Sequence, residues 1–240
     1  MRFAKHLFFF FLLCTMPIFS NEINFPKCID FGKFNSPGGQ QQAWRLGFFA
    51  FNRAPELTPF FVLLKNKYNI LTAIETGTYK GCSTVLFGQL FEQVHTIEIS
   101  EKLYLESSAL LSPYTNVHCH LGSSEKILKE ILPNLVGQPV LFYLDAHWQS
   151  HWPLLEELDE ISQTHKDNCI IVIDDFKVPQ RSDIDYDKYD TKECSHEYIK
   201  EKLNKIFTSY DFYFLIPKSV KSRAKFVAIP KQWATAAHTK

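Results

Sequence analysis

Residues 70–83 read ILTAIETGTYKGCS. The run Ile70–Glu75 is a short apolar strand that ends on a carboxylate, Gly77 and Gly81 frame a turn, and Ser83–Phe91 has a helical pattern. Glycine admits the tight backbone path from strand to helix and the close approach of a ligand. Strands are expected again at Gln93–Ile99, Asn116–His120, Val140–Leu144 and Cys169–Ile173, and helices at Glu101–Leu111, Ser124–Leu135 and Leu154–Gln163. Strands alternating with helices predict an α/β fold, a doubly wound parallel sheet with helices on both faces. The uniformly apolar Val140–Leu144 and Cys169–Ile173 suit burial on both faces. Upstream, Thr58 is expected to cap a helix over Pro59–Tyr68. Downstream, Glu197–Ser209 reads as a helix, and Phe212–Ile216 with Lys225–Ile229 as a hairpin that adds an antiparallel strand.

The chain has 240 residues, 26 basic and 26 acidic. Neutrality removes the basic excess that a nucleic-acid binder places on phosphates. With 45% hydrophobic and 22% charged residues, the composition is globular, and disorder and collagen-like repetition are excluded. The length suits one medium domain. Met1–His6 carries Arg2 and Lys5, and Leu7–Phe19 is an apolar run of 13 residues broken by Thr15 and Pro17. That run is short for a membrane span, so residues 1–20 read as a secretory signal, with an uncleaved anchor or a buried helix as alternatives. Residues 21–57 are expected to be an N-terminal extension containing a loop at Ser36–Gln42, and residues 58–240 the domain proper. Beyond the signal, Cys28, Cys82, Cys119, Cys169 and Cys194 are odd in number and lack CxxC spacing, which argues against zinc. Buried free thiols are favoured, and a Cys28–Cys194 bridge is the alternative if the chain is exported.

In open α/β sheets ligands bind beyond the carboxyl ends of the strands. Four such ends carry acid: Glu75, Glu98, Asp145 and the pair Asp174-Asp175. The turn Glu75–Gly81 has neither GxGxxG spacing nor a Walker lysine, which speaks against dinucleotides and nucleoside triphosphates. Glu98 stands where a carboxylate accepts both ribose hydroxyls, or else caps a helix. Gly122-Ser123-Ser124 either borders an adenine or caps the next helix. Asp145 and Asp174 end strands expected to be neighbours, about 4.8 Å apart. With Asp175 they crowd three like charges, a conflict that a divalent cation relieves. An all-oxygen set suits magnesium, or calcium or manganese; the alternative is that one aspartate turns away to cap a helix.

These elements in order, Glu75-x-Gly77-x-Tyr79-x-Gly81-x-Ser83, Thr96-Ile97-Glu98-Ile99, Gly122-Ser123-Ser124, Leu144-Asp145-Ala146-His147-Trp148 and Ile173-Asp174-Asp175, resemble the class I S-adenosylmethionine-dependent O-methyltransferases. Within them the chain is similar to metal-dependent catechol-type enzymes and to macrocin-type enzymes that methylate sugar hydroxyls. The resemblance covers roughly residues 71–176. It implies a Rossmann-like seven-stranded sheet whose last strand is antiparallel. It also implies S-adenosyl-L-methionine held by Glu75, Gly77, Tyr79, Gly81, Ser83, Glu98, Ser124, Asp145 and His147. Mg2+ or another divalent cation would sit on Asp145, Asp174 and Asp175. A small hydroxylated molecule, sugars included, would be the acceptor. Where catechol-type enzymes have a lysine base stands Gln149, which takes no proton. His147 is then the first candidate base, ahead of Asp145 and His151, with a purely structural contact to the donor as its alternative. Trp148 and Trp152 either wall the pocket or pack on the next helix. The stretch Lys177–Ser195 is either a substrate-selecting loop or solvated surface, and Lys218–Arg223 reads as a soluble turn. The export-like start and a donor made in the cytoplasm point to different compartments. An exported, non-catalytic Rossmann-like protein that binds a ligand or metal is therefore the competing expectation, with membrane contact only through an uncleaved N-terminus.

Overall fold

The C-terminal ends of five parallel strands lie side by side in the structure, a computed structural model that describes residues 49–147, 151–217 and 223–236. The expected segments at 1–20 and 36–42, Cys28, Trp148, Gln149 and residues 218–222 lie outside these described residues. The strands are β1 (Thr72–Thr76), β2 (Gln93–Glu98), β3 (Val117–Leu121), β4 (Val140–Leu144) and β5 (Cys169–Ile173), followed by a two-residue pair β6 (Lys188–Tyr189) and β7 (Lys192–Glu193), then β8 (Tyr210–Leu215) and β9 (Lys225–Pro230). The seven-stranded sheet runs β3-β2-β1-β4-β5-β9-β8. β1 to β5 are parallel, and β9 is antiparallel to both β5 and β8. This is the seven-stranded, mostly parallel Rossmann-like sheet that the resemblance implies, with the terminal hairpin joined to the main sheet.

The helices are α1 (Thr58–Tyr68), α2 (Cys82–Leu90), α3 (Glu101–Leu111), α4 (Ser124–Ile131), α5 (Leu154–Thr164), α6 (His196–Ile206) and α7 (Lys231–Ala236). Alternating strand residues feed two cores. Ile74, Ile97, Phe142, Ile171 and Phe226 face α4, α5 and α6, whereas Ala73, Val94, Leu141, Val172 and Val227 face α1 and α2. Three expectations change. Thr58 is the first helical residue, not the cap, because a 3-10 turn over Pro55–Leu57 runs straight into α1; its hydroxyl donates to Pro55 O at 2.7 Å. The expected helix Ser124–Leu135 ends at Ile131 and tightens to a 3-10 turn over Leu132–Leu135, since Pro133 has no amide to continue the ladder. The expected helix Glu197–Ser209 covers His196–Ile206, and Ser195 caps it by accepting from Tyr198 N at 3.4 Å.

Residues 49–54 are integral to the second core. Phe51 is fully buried against Phe61, Phe87 and Tyr143, with ring centroids 4.6–5.6 Å apart. Burying such a ring contributes about 1.5–3 kcal/mol. Phe51 and Asn52 both have positive φ, at 52° and 56°, and this path carries Asn52 to the ends of β4 and β5. Cys82, Cys119, Cys169 and Cys194 are free thiols, and burial pushes the Cys82 thiol up to about 12. Among the described residues no helix is long and apolar enough to cross a membrane.

Candidate functional site

At the β1–β2 end the chain comes close to itself. Gly77 has φ +81°, and a Cβ there would lie 2.5 Å from Asp145 O. Its amide and that of Thr78 donate to Ile97 O at 3.0 and 3.1 Å. A side chain at 77 would separate β1 from β4, so the turn requires glycine. Glu75 is buried, and one of its oxygens accepts from Thr84 Oγ1 at 2.5 Å and Thr96 Oγ1 at 2.7 Å. Burial pushes its carboxyl up to about 7, while the two hydroxyls pull the other way. Glu98 accepts from Tyr79 N and from Ser100 N, one on each carboxylate oxygen, both at 2.8 Å. These amides fix the plane of the Glu98 carboxylate and leave a second lone pair on each oxygen. Tyr79 itself is 63% exposed at the rim. Gly81, with φ +74°, starts α2. Ser83 faces inward, its Oγ accepting from Phe51 N at 3.0 Å. Ser124 opens α4, and its buried Oγ has no hydrogen-bond partner among the described residues.

The β4–β5 end is built differently. Leu144 pairs with Ile173, and Asp174 N donates to Leu144 O at 3.0 Å, so Asp145 and Asp174 emerge side by side. On the far side Ile173 pairs with Phe226 of antiparallel β9, which sets Lys225 against Asp174. The Lys225 ammonium, fully buried, donates to Asp174 Oδ1 and, at 3.2 Å, to Arg223 O. Asp174 also accepts from the Tyr143 hydroxyl, from Asp175 N at 2.7 Å and from Asn52 Nδ2 at 3.4 Å. Asp175 accepts from Asn52 Nδ2 at 2.8 Å and from Arg223 Nη1 at 2.6 Å. Arg223 reaches Asp187 as well, whose other oxygen accepts from the Tyr189 hydroxyl at 3.0 Å. Loss of hydration and the charges of Asp174 and Asp175 push the Asp145 carboxyl well above the usual range. The same two causes, burial then Asp174, bring Asp175 up to about 7, opposed by Lys225 and Arg223.

Asp145, Asp174 and Asp175 are therefore brought together but do not form the expected metal-ligand set. Among the described residues no group of three or more histidine, cysteine, aspartate or glutamate side chains is arranged to hold a metal ion. The physical reason is that donors from Lys225, Arg223, Asn52 and Tyr143 already occupy the oxygens of Asp174 and Asp175.

At the β4–β5 end lies a small pocket bordered by Asp145, His147, Trp152, Glu157, Asp174 and Asp187, with about 10 Å³ of free space. That is room for about one water molecule. His147 is exposed at the mouth, 5.9 Å from the Tyr189 ring between centroids. His151 points to Glu125 at 3.7 Å. Trp152 stacks on Tyr198 of α6 at 4.9 Å and approaches Tyr189 at 5.1 Å. The loop 177–195 thus closes over the pocket through its β6–β7 pair. Glu157 on α5 is fully buried, and among the described residues neither of its carboxylate oxygens has a hydrogen-bond partner. Burial pushes it up to about 7, while the nearby Ser124 and Thr76 hydroxyls act in the opposite direction. Asn52, Tyr143, Glu157, Asp187, Arg223 and Lys225 carry no motif signal. Only the charge of Lys225, inside an otherwise apolar strand, hinted at a buried partner.

No protein-family model and no curated protein matches the sequence. Solved structures match over most of the chain. The O-methyltransferase TomG of Streptomyces achromogenes, involved in tomaymycin synthesis and solved with S-adenosylmethionine, superposes with a TM-score of 0.52 at 13% identity, over 73% of this chain and 79% of that one. An O-methyltransferase from Bacillus cereus in complex with S-adenosylhomocysteine gives 0.52 at 17% identity, over 75% and 83%. A mutant of MtNAS in complex with S-adenosylmethionine gives 0.53 at 12% identity, over 83% and 69%. The fold is the one these structures share. Identities this low speak for the fold, and the chemistry must be argued from the residues.

Proposed function

We propose that the protein is an S-adenosylmethionine-dependent O-methyltransferase acting on a hydroxyl of a small molecule, with sugars among the acceptors. The observation that carries this is Glu98: a carboxylate held by two backbone amides at the end of β2, beside the glycine turn of β1, with a free lone pair on each oxygen for a ribose diol. The close approach of Gly77 to Asp145 O sets the β1 turn against the end of β4, which aligns the strand ends that a donor would lie across. Glu98 would hold the ribose, the turn Glu75–Gly81 the amino-acid portion, and Ser124 Oγ would border the adenine.

The donor, when bound, supplies an electrophilic methyl group on a positively charged sulfur. The chain contributes orientation and charge. The acidic strand ends favour a cationic ligand, and Glu98 fixes its long axis. Fixing donor and acceptor about 3 Å apart supplies much of the acceleration. As the acceptor oxygen forms its new bond to carbon, its proton must leave. His147 at the pocket mouth would take it as general base, with Asp145 the next candidate. No step is routed through a divalent ion, because every acceptor position of Asp174 is filled and Lys225 and Arg223 already bring positive charge to the cluster. The loop 177–195, closing through Tyr189, would select the acceptor.

Titration calorimetry with S-adenosylhomocysteine tests this. The wild type is expected to bind, and Glu98→Gln to bind about 10-fold more weakly, as for one charge-assisted hydrogen bond lost. The folded wild type failing to bind would favour the exported, non-catalytic binder instead.

A further inference from the structure

We infer that Lys225 is the resident cation of this site: its ammonium, with the Arg223 guanidinium, holds the place in the aspartate cluster that a divalent metal ion would otherwise take, and the protein works without one. The lone pairs decide it. An ionised carboxylate offers about four acceptor positions. Asp174 uses all of them, on Lys225 Nζ, Tyr143 Oη, Asp175 N and Asn52 Nδ2. Asp175 accepts one donor on each oxygen, from Asn52 and Arg223, and Asp187 likewise from Arg223 and Tyr189. Magnesium demands near-octahedral oxygen ligands at about 2.0–2.1 Å. To reach Asp174 it would have to displace an ammonium that has 0% exposure, and a metal and that ammonium on one carboxylate would repel each other.

Topology makes the ammonium a permanent tenant. Lys225 opens β9, and the antiparallel register with β5 sets it against Asp174. Its second bond, to Arg223 O, ties it to the residue whose guanidinium bridges Asp175 and Asp187. Three aspartates are thereby held in one network by two cations from a single strand entry. Asp145 alone of the four has no side-chain hydrogen bond among the described residues, and it borders the pocket. One carboxylate left open suits a singly charged sulfonium ligand better than a divalent ion. That last role rests on the methyl-transfer reading, whereas the charge balance stands without it.

The full chain, freed of metal by excess EDTA, is compared with the same protein in excess MgCl2, both with S-adenosylhomocysteine. Thermal unfolding midpoints and ligand affinity are expected to agree in the two media. A midpoint higher by about 5 °C or more in magnesium would overturn the inference, because it reports a bound ion. A double-mutant cycle provides the second measurement. Lys225→Met and Asp174→Asn should each lower the midpoint, and the double variant should regain most of the loss, because neither partner is then left charged and alone. Strictly additive losses would equally overturn it. Donor product failing to bind in both media would sink the methyl-transfer reading and leave the charge balance intact.

Discussion

The two ends of the same strand edge hold buried acid in opposite ways. At β1–β2 the carboxylates of Glu75 and Glu98 are held by neutral donors, the hydroxyls of Thr84 and Thr96 and the amides of Tyr79 and Ser100. At β4–β5–β9 the carboxylates of Asp174 and Asp175 are held by Lys225 and Arg223. Neutral donors fix a carboxylate without spending its charge, so Glu98 keeps negative potential for a cationic ligand. Cationic donors spend it, so Asp174 and Asp175 are chiefly architecture and Asp145 alone of that end is left open to a ligand. A row of strand-end acids is thus not a uniform site, and only the partners of each acid tell which part is reserved for a ligand.

The sharpest way to break this contrast is to remove a cation from the second end. Lys225→Met should cost about 3–5 kcal/mol in urea unfolding, because it leaves the buried Asp174 charge uncompensated. A cost below about 1 kcal/mol would place Lys225 on the surface network of little consequence. Gly77→Ala comes next. Its Cβ would meet Asp145 O at 2.5 Å with φ at +81°, and strain of this kind costs about 1–3 kcal/mol. Donor affinity should fall with it, since the turn must shift, whereas a fully stable variant with unchanged affinity would show that the two ends need not touch.

Glu157→Gln probes a carboxylate that has neither kind of partner. Burial raises its pKa to about 7 in the folded state, from 4.5. The folded protein then binds more protons than the unfolded chain between these values, so the native glutamate lowers stability as pH rises from 4.5 towards 7 and beyond. The glutamine variant should gain on the wild type by about 1–3 kcal/mol between pH 5 and pH 8, as roughly two pKa units imply. A difference independent of pH would mean Glu157 is solvated.

The smallest effect is expected behind the first end. His95 bonds His120 and Gln93 at 2.9 Å and stacks on His118. Burial, then the charges of His120 and His118, lowers its pKa to about 4 from 6.5. Here the unfolded chain binds more protons between these values, so stability present above pH 6.5 is lost as pH falls towards 4. On acidification from about pH 7.5 to 5.5, wild type should lose about 1 kcal/mol more than His95→Gln, read from urea midpoints at the two pH values. Equal losses would place the charge sensitivity elsewhere.

Much of this molecule is local, and therefore legible in its sequence. The apolar runs of β4 and β5, the glycines at 77 and 81 and the carboxylates closing four strands report strand periodicity and backbone freedom, which neighbouring residues determine. From them follow the sheet, the edge that bears the site and the residues that gather there. The counter-charges are another matter. Lys225 stands 51 residues from Asp174, and Asn52 stands 123 from Asp175. No periodicity links them. An antiparallel strand inserted beside β5 and a left-handed turn at Phe51-Asn52 bring them in, and so decide whether the converging aspartates recruit a metal or are held by the chain's own cations. Like-charge crowding can be inferred from sequence because it needs only adjacent strands, but its relief depends on which distant side chain the fold delivers to the gap.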